Sequence, residues 1–278
     1  MNTLKRAPNA PSAVGRASVL VLGYLFLYIP ILTLMVFSFN DSSMMTSWSG
    51  FSFRWYVALA NDQALLHAAS LSLQVAVMTA TASAALGTWA GYIVARKPMF
   101  KGFGLYVGLL TAPLVIPEVV LGISLLLLFV EMGSVLGWPG ERGLFTIWVG
   151  HTMLCTAFVT VIVQSRIRDL DRAYEEAALD LGAKPLTVFF KITLPLIAPA
   201  MIAGWLLAFT LSLDDVVIAS FLSGPGSTLL SPEIFSRVRL GLKPEVNALA
   251  TIFVVIVGVF VVVINRLQRK QDAMASSS

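Results

Sequence analysis

Charge is what this sequence lacks most. Of its 278 residues 12% are Asp, Glu, Lys or Arg, 57% are hydrophobic, and the mean hydropathy is +0.84. A soluble domain carries about 25% charged residues. This chain has too few to cover a surface facing water, which excludes a soluble fold. Cysteine is nearly absent as well. The single Cys155 rules out a disulfide framework within the chain and any Cys-based zinc site, and it reads as a small buried hydrophobe. No internal repeat occurs, and low complexity is confined to the short tail 273–278. Long apolar runs exclude a disordered or fibrous chain. An integral membrane protein remains. Its formal net charge of +4 is read as membrane topology, with no nucleic acid as partner.

A helix needs about 20 apolar residues to cross a bilayer. Six stretches qualify: 18–39, 67–95, 103–130, 144–164, 192–222 and 246–264. Barrel strands alternate over about 10 residues, so runs of this length predict an all-α protein with six transmembrane helices. The first stretch follows Lys5, Arg6 and Arg16, as a signal peptide would. Its apolar core is longer than the roughly 7–15 residues of such a peptide and no small-residue cleavage site closes it, so a retained span is expected. Fourteen of the 19 Lys and Arg then fall on one side, which predicts both termini in the cytoplasm. Segments 40–66 and 223–245 are expected outside, and 165–191 is the longest cytoplasmic segment.

The cytoplasmic segment carries the sharpest pattern. Asp171 is a plausible N-cap, good helix formers follow, and Gly182 is placed to end the helix in a left-handed residue. Pro185 suits the first turn of a second short helix over 185–191. Tyr174, Ala177, Ala178 and Leu181 recur at helical spacing, with Glu175, Glu176 and Asp180 around them. Such a face suits docking in a partner's groove. The alternative, a helix lying on the lipid surface, would favour a basic polar face.

Glu176-Ala177-Ala178, then Gly182, Ile192 and Leu194-Pro195, resembles the EAA motif of permease subunits in type I ABC importers. The resemblance implies a six-helix permease fold in which 165–191 couples to the cleft of a separate ATPase subunit. Glu175, Glu176, Ala177, Ala178, Gly182, Pro185, Leu194 and Pro195 would form that coupling region. It implies a transport subunit rather than an enzyme, and no G-x-x-x-x-G-K-[ST] loop stands in this chain to cradle a nucleotide. No cofactor would be bound here; ATP and Mg would be used by the partner. The domain plan is a cytoplasmic 1–17, a first transmembrane helix 18–39, a five-helix transporter core 67–265 and a cytoplasmic tail 266–278.

Within the six stretches stand three charged residues, Glu118, Asp214 and Asp215. An Asp near the centre of a spanning helix costs roughly 2.5–3.5 kcal/mol on insertion scales. These acids therefore point to a wet or protein-lined cavity. Glu118 follows Pro113 and Pro117, which free backbone carbonyls that a cavity or a neighbour must satisfy. Thr210 and Ser212 precede the Asp pair. An internal acid–base pair, a proton relay and a cationic-substrate site are the open readings. No Lys or Arg stands in a span to complete a pair, leaving His151 and the boundary residue His67. His151 is expected to be a hydrogen-bonded core residue rather than a metal ligand; no metal site is expected.

Leu211 to Phe221, Ser223-Gly224-Pro225-Gly226, Phe39-Asn40, Arg54-Trp55-Tyr56, Thr111-Ala112-Pro113 and Val238-Arg239-Leu240-Gly241 resemble the permeases of polyamine importers, nearest the putrescine-type second subunit. The likeness runs from about residue 20 to about 265. It implies a polyamine path lined by Asp214, Asp215, Glu118, Ser212, Trp55 and Tyr56. Relatives often carry Asp where Glu118 stands. It also implies a second permease subunit as heterodimer partner, two ATPase copies, a periplasmic polyamine-binding protein and a bacterial inner membrane. Trp48, Trp55 and Tyr56 otherwise read as interfacial belt aromatics. A secondary transporter or an intramembrane enzyme using the buried carboxylates are the competing classes. The first would usually show internal repeats, and the second needs a nucleophile with a base or metal in reach.

Overall fold

Without water in the bilayer core, a chain must satisfy its backbone within each segment, and helix does this. A computed structural model describes residues 13–43, 47–97, 100–240, 245–255 and 258, and helix dominates them. In chain order the helices are α1 (Ala13–Phe37), α2 (Arg54–Asn61), α3 (Gln63–Arg96), α4 (Phe103–Val115), α5 (Glu118–Leu136), α6 (Leu144–Asp169), α7 (Ala173–Asp180), α8 (Pro185–Val188), α9 (Leu194–Asp214), α10 (Val217–Leu222), α11 (Leu230–Leu240) and α12 (Glu245–Val255). A π-helical turn, Phe189–Thr193, joins α8 to α9.

Among the described residues, five helical runs are long and apolar enough to cross a membrane: Ala17–Phe37, Gln63–Arg96, Glu118–Leu136, Leu144–Asp169 and Pro185–Asp214. Two expected spans are interrupted. The stretch 103–130 is two helices, parted at Ile116 and Pro117, because Pro117 lacks the N–H that would continue α4 and holds its predecessor extended. The stretch 192–222 is likewise two, parted at Asp215 and Val216. Of the sixth, α12 covers the beginning; residues 256–257 and 259–264 lie outside the described ones, as do 1–12 and the tail 266–278.

Gln63–Ser236 forms one compact unit, with α3, α6 and α9 at its centre. Val159 of α6 is fully buried where the three meet. The close approach depends on glycine: a Cβ at Gly87 of α3 would lie 2.7 Å from Val159 Cβ, and one at Gly204 of α9 3.1 Å from Val159 Cγ1. Cys155, buried one turn earlier, sits 3.6 Å from the Ala208 carbonyl and is the small core residue expected. A second apolar cluster joins α10 to α5 and α6 through Ile218, Leu222, Leu121, Leu125 and Ile147.

The described parts of Met1–Asp62 and Arg237–Ser278 form the other unit. Here α1 is exposed from residue 17 to residue 33, as Phe26 at 80% illustrates. Asn40 and Phe51 pair as an isolated antiparallel bridge, and Arg237 makes a two-pronged ion pair with Asp62.

Gly87→Ala should lower stability by about 1–3 kcal/mol through overpacking against Val159. Thermal unfolding of the purified protein in detergent is expected to show a lower midpoint, with Val159→Ala in the same chain restoring part of it. An unchanged midpoint would show that the α3–α6 contact can open freely.

Candidate functional sites

The break after α9 is built by side chains. A helix as short as α10 cannot sustain itself by its own hydrogen bonds. At its N-terminal end, Asp215 Oδ1 accepts from the Ala219 N–H at 2.7 Å and Oδ2 from the Ile218 N–H at 3.4 Å. At the other end, Thr146 donates to the Leu222 carbonyl at 2.8 Å and Arg142 to the Phe221 carbonyl at 3.1 Å. Free donors and acceptors of the chain are thereby satisfied without water.

Asp215 also meets His151, its Oδ1 lying 3.1 Å from Nε2, and the side chains are 7% and 1% exposed. A carboxylate only accepts, so Nε2 carries the hydrogen. In the neutral ring Nδ1 then accepts from the Ser212 hydroxyl at 2.8 Å. His151 is the hydrogen-bonded core residue expected. The internal acid–base reading thus describes Asp215, with His in place of Lys or Arg, and Ser212 is buried at its side. These two residues hold the break together rather than face an open path. Ser212 and Asp215 stand three apart on α9's last turn, and that spacing beside the one deeply placed base was the signal available in the sequence.

Asp214 differs. It is exposed at the last position of α9, with no hydrogen-bond or ion-pair partner among the described residues. Glu118 is the same: exposed, unpartnered among the described residues, and first in α5 after Pro117. The elements that carry the two breaks touch, since Gly122 of α5 lies so close to Phe221 of α10 that a Cβ would meet its ring at 2.5 Å. A carboxylate at a helix N-terminus such as Glu118's is favoured by the dipole, while Asp214 has no such compensation.

In the other unit, Trp55 is 7% exposed and donates its indole N–H to the Asn40 carbonyl at 2.7 Å. The Tyr56 hydroxyl lies 2.7 Å from Ser38 Oγ, and its ring packs on Phe39 at 5.2 Å. Trp55 and Tyr56 fasten the outer turn, and the exposed rings are Trp48, Phe51 and Phe53.

On the expected cytoplasmic side, Asp171 Oδ1 accepts from the Ala173 N–H at 2.9 Å in a turn just ahead of α7, whose N-cap position is taken by Arg172 rather than by the Asp171 expected there. Gly182 has φ +85° and ends it: the Ala183 N–H reaches the Ala178 carbonyl at 3.1 Å, and the Gly182 N–H the Leu179 carbonyl at 2.9 Å. That is the paired closure of a left-handed helix end. Pro185 opens α8, where a missing N–H costs nothing, and Pro195 stands just after the π-helical turn at the start of α9. Glu176 and Ala177 are exposed, Ala178 is half-buried, and Tyr174 and Leu181 stand out at 61% and 90%. Glu175 departs from expectation. It is turned inward, its Oε2 3.0 Å from Arg96 Nε and its Oε1 accepting from Thr193 at 2.8 Å. Arg96 had been read only as part of the positive cytoplasmic side.

These sites belong to a chain with well-defined relatives. The family model described as binding-protein-dependent transport system inner membrane component matches residues 87–274. The putrescine transport system permease protein PotI of Escherichia coli K12 is 54% identical over 244 residues, covering 88% of this chain and 87% of that one. The spermidine/putrescine transport system permease protein PotC of the same strain is 43% identical over 239 residues, covering 86% and 88%. A chain from the crystal structure of a bacterial ABC transporter involved in import of the acidic polysaccharide alginate shares the fold, with a TM-score of 0.70 at 18% identity over 94% of this chain and 99% of that one. A structure of the alginate transporter in complex with a pentasaccharide-bound periplasmic protein matches with a TM-score of 0.70 at 17% identity over 89% and 90%. The chain is all-α and multi-pass, and it belongs to the family of binding-protein-dependent transport system inner membrane components, as a permease subunit of an ABC importer.

Proposed function

We propose that this permease carries polyamines, with putrescine as its main substrate, across a bacterial inner membrane. The observation that carries the reading is the pair of carboxylates without a partner among the described residues, Asp214 and Glu118, each at a helix break in an apolar run where the one other charged residue is the inward-paired Asp215. A diammonium ion leaving water needs an anion for each end. Two acids on separate elements suit such a dication, and hydration of a path reduces their own insertion cost. The 54% identity to a putrescine permease supports the choice of substrate. Asp215 and Ser212 serve the path by holding α10, and Trp55 and Tyr56 by holding the outer turn.

The working assembly in this reading is a heterodimer with a second permease, two ATPase copies that use ATP and Mg, and a periplasmic polyamine-binding protein. The face of α7 carrying Glu176, Ala177 and Ala178, closed by Gly182, docks in the ATPase, with Pro185, Leu194 and Pro195 shaping the return into α9. Its exposed Tyr174 and Leu181 support docking over solvent contact.

Two experiments test this. In vesicles holding the reconstituted complex, Asp214→Asn and Glu118→Gln should each lower putrescine uptake about 10–100-fold, as loss of a charge-assisted contact of about 1.5–3 kcal/mol implies, with thermal stability kept. Asp215→Ala should instead lower the melting temperature, because α10 loses its cap and His151 its acceptor. Normal uptake in the Asp214→Asn, Glu118→Gln double variant would end the cation-path reading. For docking, no atom lies within 4 Å of a Cβ at Gly182, so substitution there acts through backbone strain alone. Gly182→Val forces a β-branched residue into a left-handed conformation, costing about 1–2 kcal/mol, or about 5–30-fold in ATPase affinity; Gly182→Asn should be milder. Unchanged ATPase retention and uptake in Gly182→Val would count against the docking role.

A further inference from the structure

We infer that Arg96 is a positioning residue: through Glu175 it bolts the coupling helix α7 to the ends of α3 and α6 and to the root of α9, so that motion of α7 reaches the substrate path as one body. This rests on the proposed role of α7 as the ATPase-docking helix.

Four elements meet at this side chain. Arg96 is the last residue of α3, and its side chain is 8% exposed. Among the described residues, the other basic ones expected on this side, Lys97, Lys101, Arg166, Arg168, Arg172, Lys184 and Lys191, are all exposed, and Arg96 alone of these is placed inward. Its Nη2 donates to the Leu170 carbonyl at 3.0 Å, at the C-cap of α6, where free carbonyls and the negative end of the helix dipole favour a cation. Its Nε lies 3.0 Å from Glu175 Oε2 in the first turn of α7. Glu175 is 13% exposed and spends its other oxygen on Thr193, which is fully buried and ends the π-helical turn below α9. A second link runs beside this chain of contacts: the rings of Tyr92 on α3 and Phe189 in the π turn meet edge to face at 4.9 Å.

Solvated ion pairs contribute little. Here water is largely excluded: the Arg96–Glu175 contact is an ion pair by proximity, and the other carboxylate oxygen is fixed by the Thr193 hydroxyl, so the two links support each other. Single π-helical turns are also frequent at functional sites. α9 is about 31 Å long at 1.5 Å per residue, and its far end is Asp214. A displacement of α7 that is passed to Thr193 therefore tilts the helix bearing the free acid, where an unbolted loop would absorb it. The two adjacent acids divide the work: Glu176 faces the partner and Glu175 holds the helix that presents it.

The test uses the full complex of both permeases and the ATPase dimer in nanodiscs, with the binding protein and putrescine added. Co-purification of the ATPase, basal hydrolysis and stimulation by loaded binding protein are measured for Arg96→Gln, Thr193→Val and Glu175→Gln, with Ala177→Arg as docking control. Arg96→Gln and Thr193→Val should keep the ATPase and basal hydrolysis but lose stimulation and uptake by about tenfold, within the usual range of coupling between sites. Glu175→Gln should do the same, and the Arg96→Gln, Glu175→Gln pair should be no worse than either alone. Thr193 is buried and its substitution keeps shape without changing charge, so it decides the matter should a charge variant fail to fold. Full stimulation in Thr193→Val would overturn the proposal, as would release of the ATPase by Glu175→Gln alone, which would make Glu175 a direct contact. Retention of the ATPase by Ala177→Arg would instead remove the docking reading on which the bolt depends.

Discussion

Asp215 replaces, with one carboxylate, what the backbone gives up where α9 stops inside a membrane-spanning run. The helix ends after Asp214, and within three residues another begins that is too short to stand alone. Each open N–H there would cost several kcal/mol in hydrocarbon. The carboxylate takes two of them and the His151 ring as well, and His151 in turn holds Ser212. Because His151 lies on α6, at the centre of the three-helix core, the break is fixed to the most buried part of the fold. The exposure of Asp214 depends on this: the residue is free because its neighbour is not.

The same division recurs at the other end of α9. Adjacent side chains point in different directions, about 100° apart within a helix, so one acid of a doublet can be turned inward while its neighbour stays exposed. Of Asp214 and Asp215, one is exposed and one is paired inward; of Glu175 and Glu176, the first is turned toward Arg96 and Thr193 and the second outward. In both pairs the inward acid satisfies a helix end or a buried cation, and the outward acid stays exposed. An acidic doublet thus sets a structural anchor beside an exposed charge with no intervening residue.

Glycine makes the core possible by distance rather than by flexibility. Val159 nests against Gly87 and Gly204, and helices that pack without a hydrophobic driving force rely on such close contact. Gly87, Gly91, Gly122 and Gly204 all make tight contacts inside the chain. Gly108 is different: a Cβ there would meet nothing within 4 Å.

Hydropathy, the EAA spacing and the scarcity of charge determined, by sequence alone, the all-helical membrane class, the permease family and the helix–Gly–helix shape of the cytoplasmic loop. These are local properties: apolar length decides insertion, and Asp171, Gly182 and Pro185 each act on the backbone within a few residues. Pro117 also signalled its break, whereas the break after Asp214 lay hidden in an apolar run that hydropathy reads as continuous. Which acid of each doublet is free was settled only by tertiary structure. The partners of Asp215 and Ser212 lie 64 and 61 residues away on α6, and Arg96 meets Leu170 across 74 residues. Trp55 is likewise held inward by its bond to the Asn40 carbonyl, 15 residues away. Charge and spacing name the residues that can bind, but whether a side chain is spent inside the protein depends on which helices pack against it, and no local pattern encodes that.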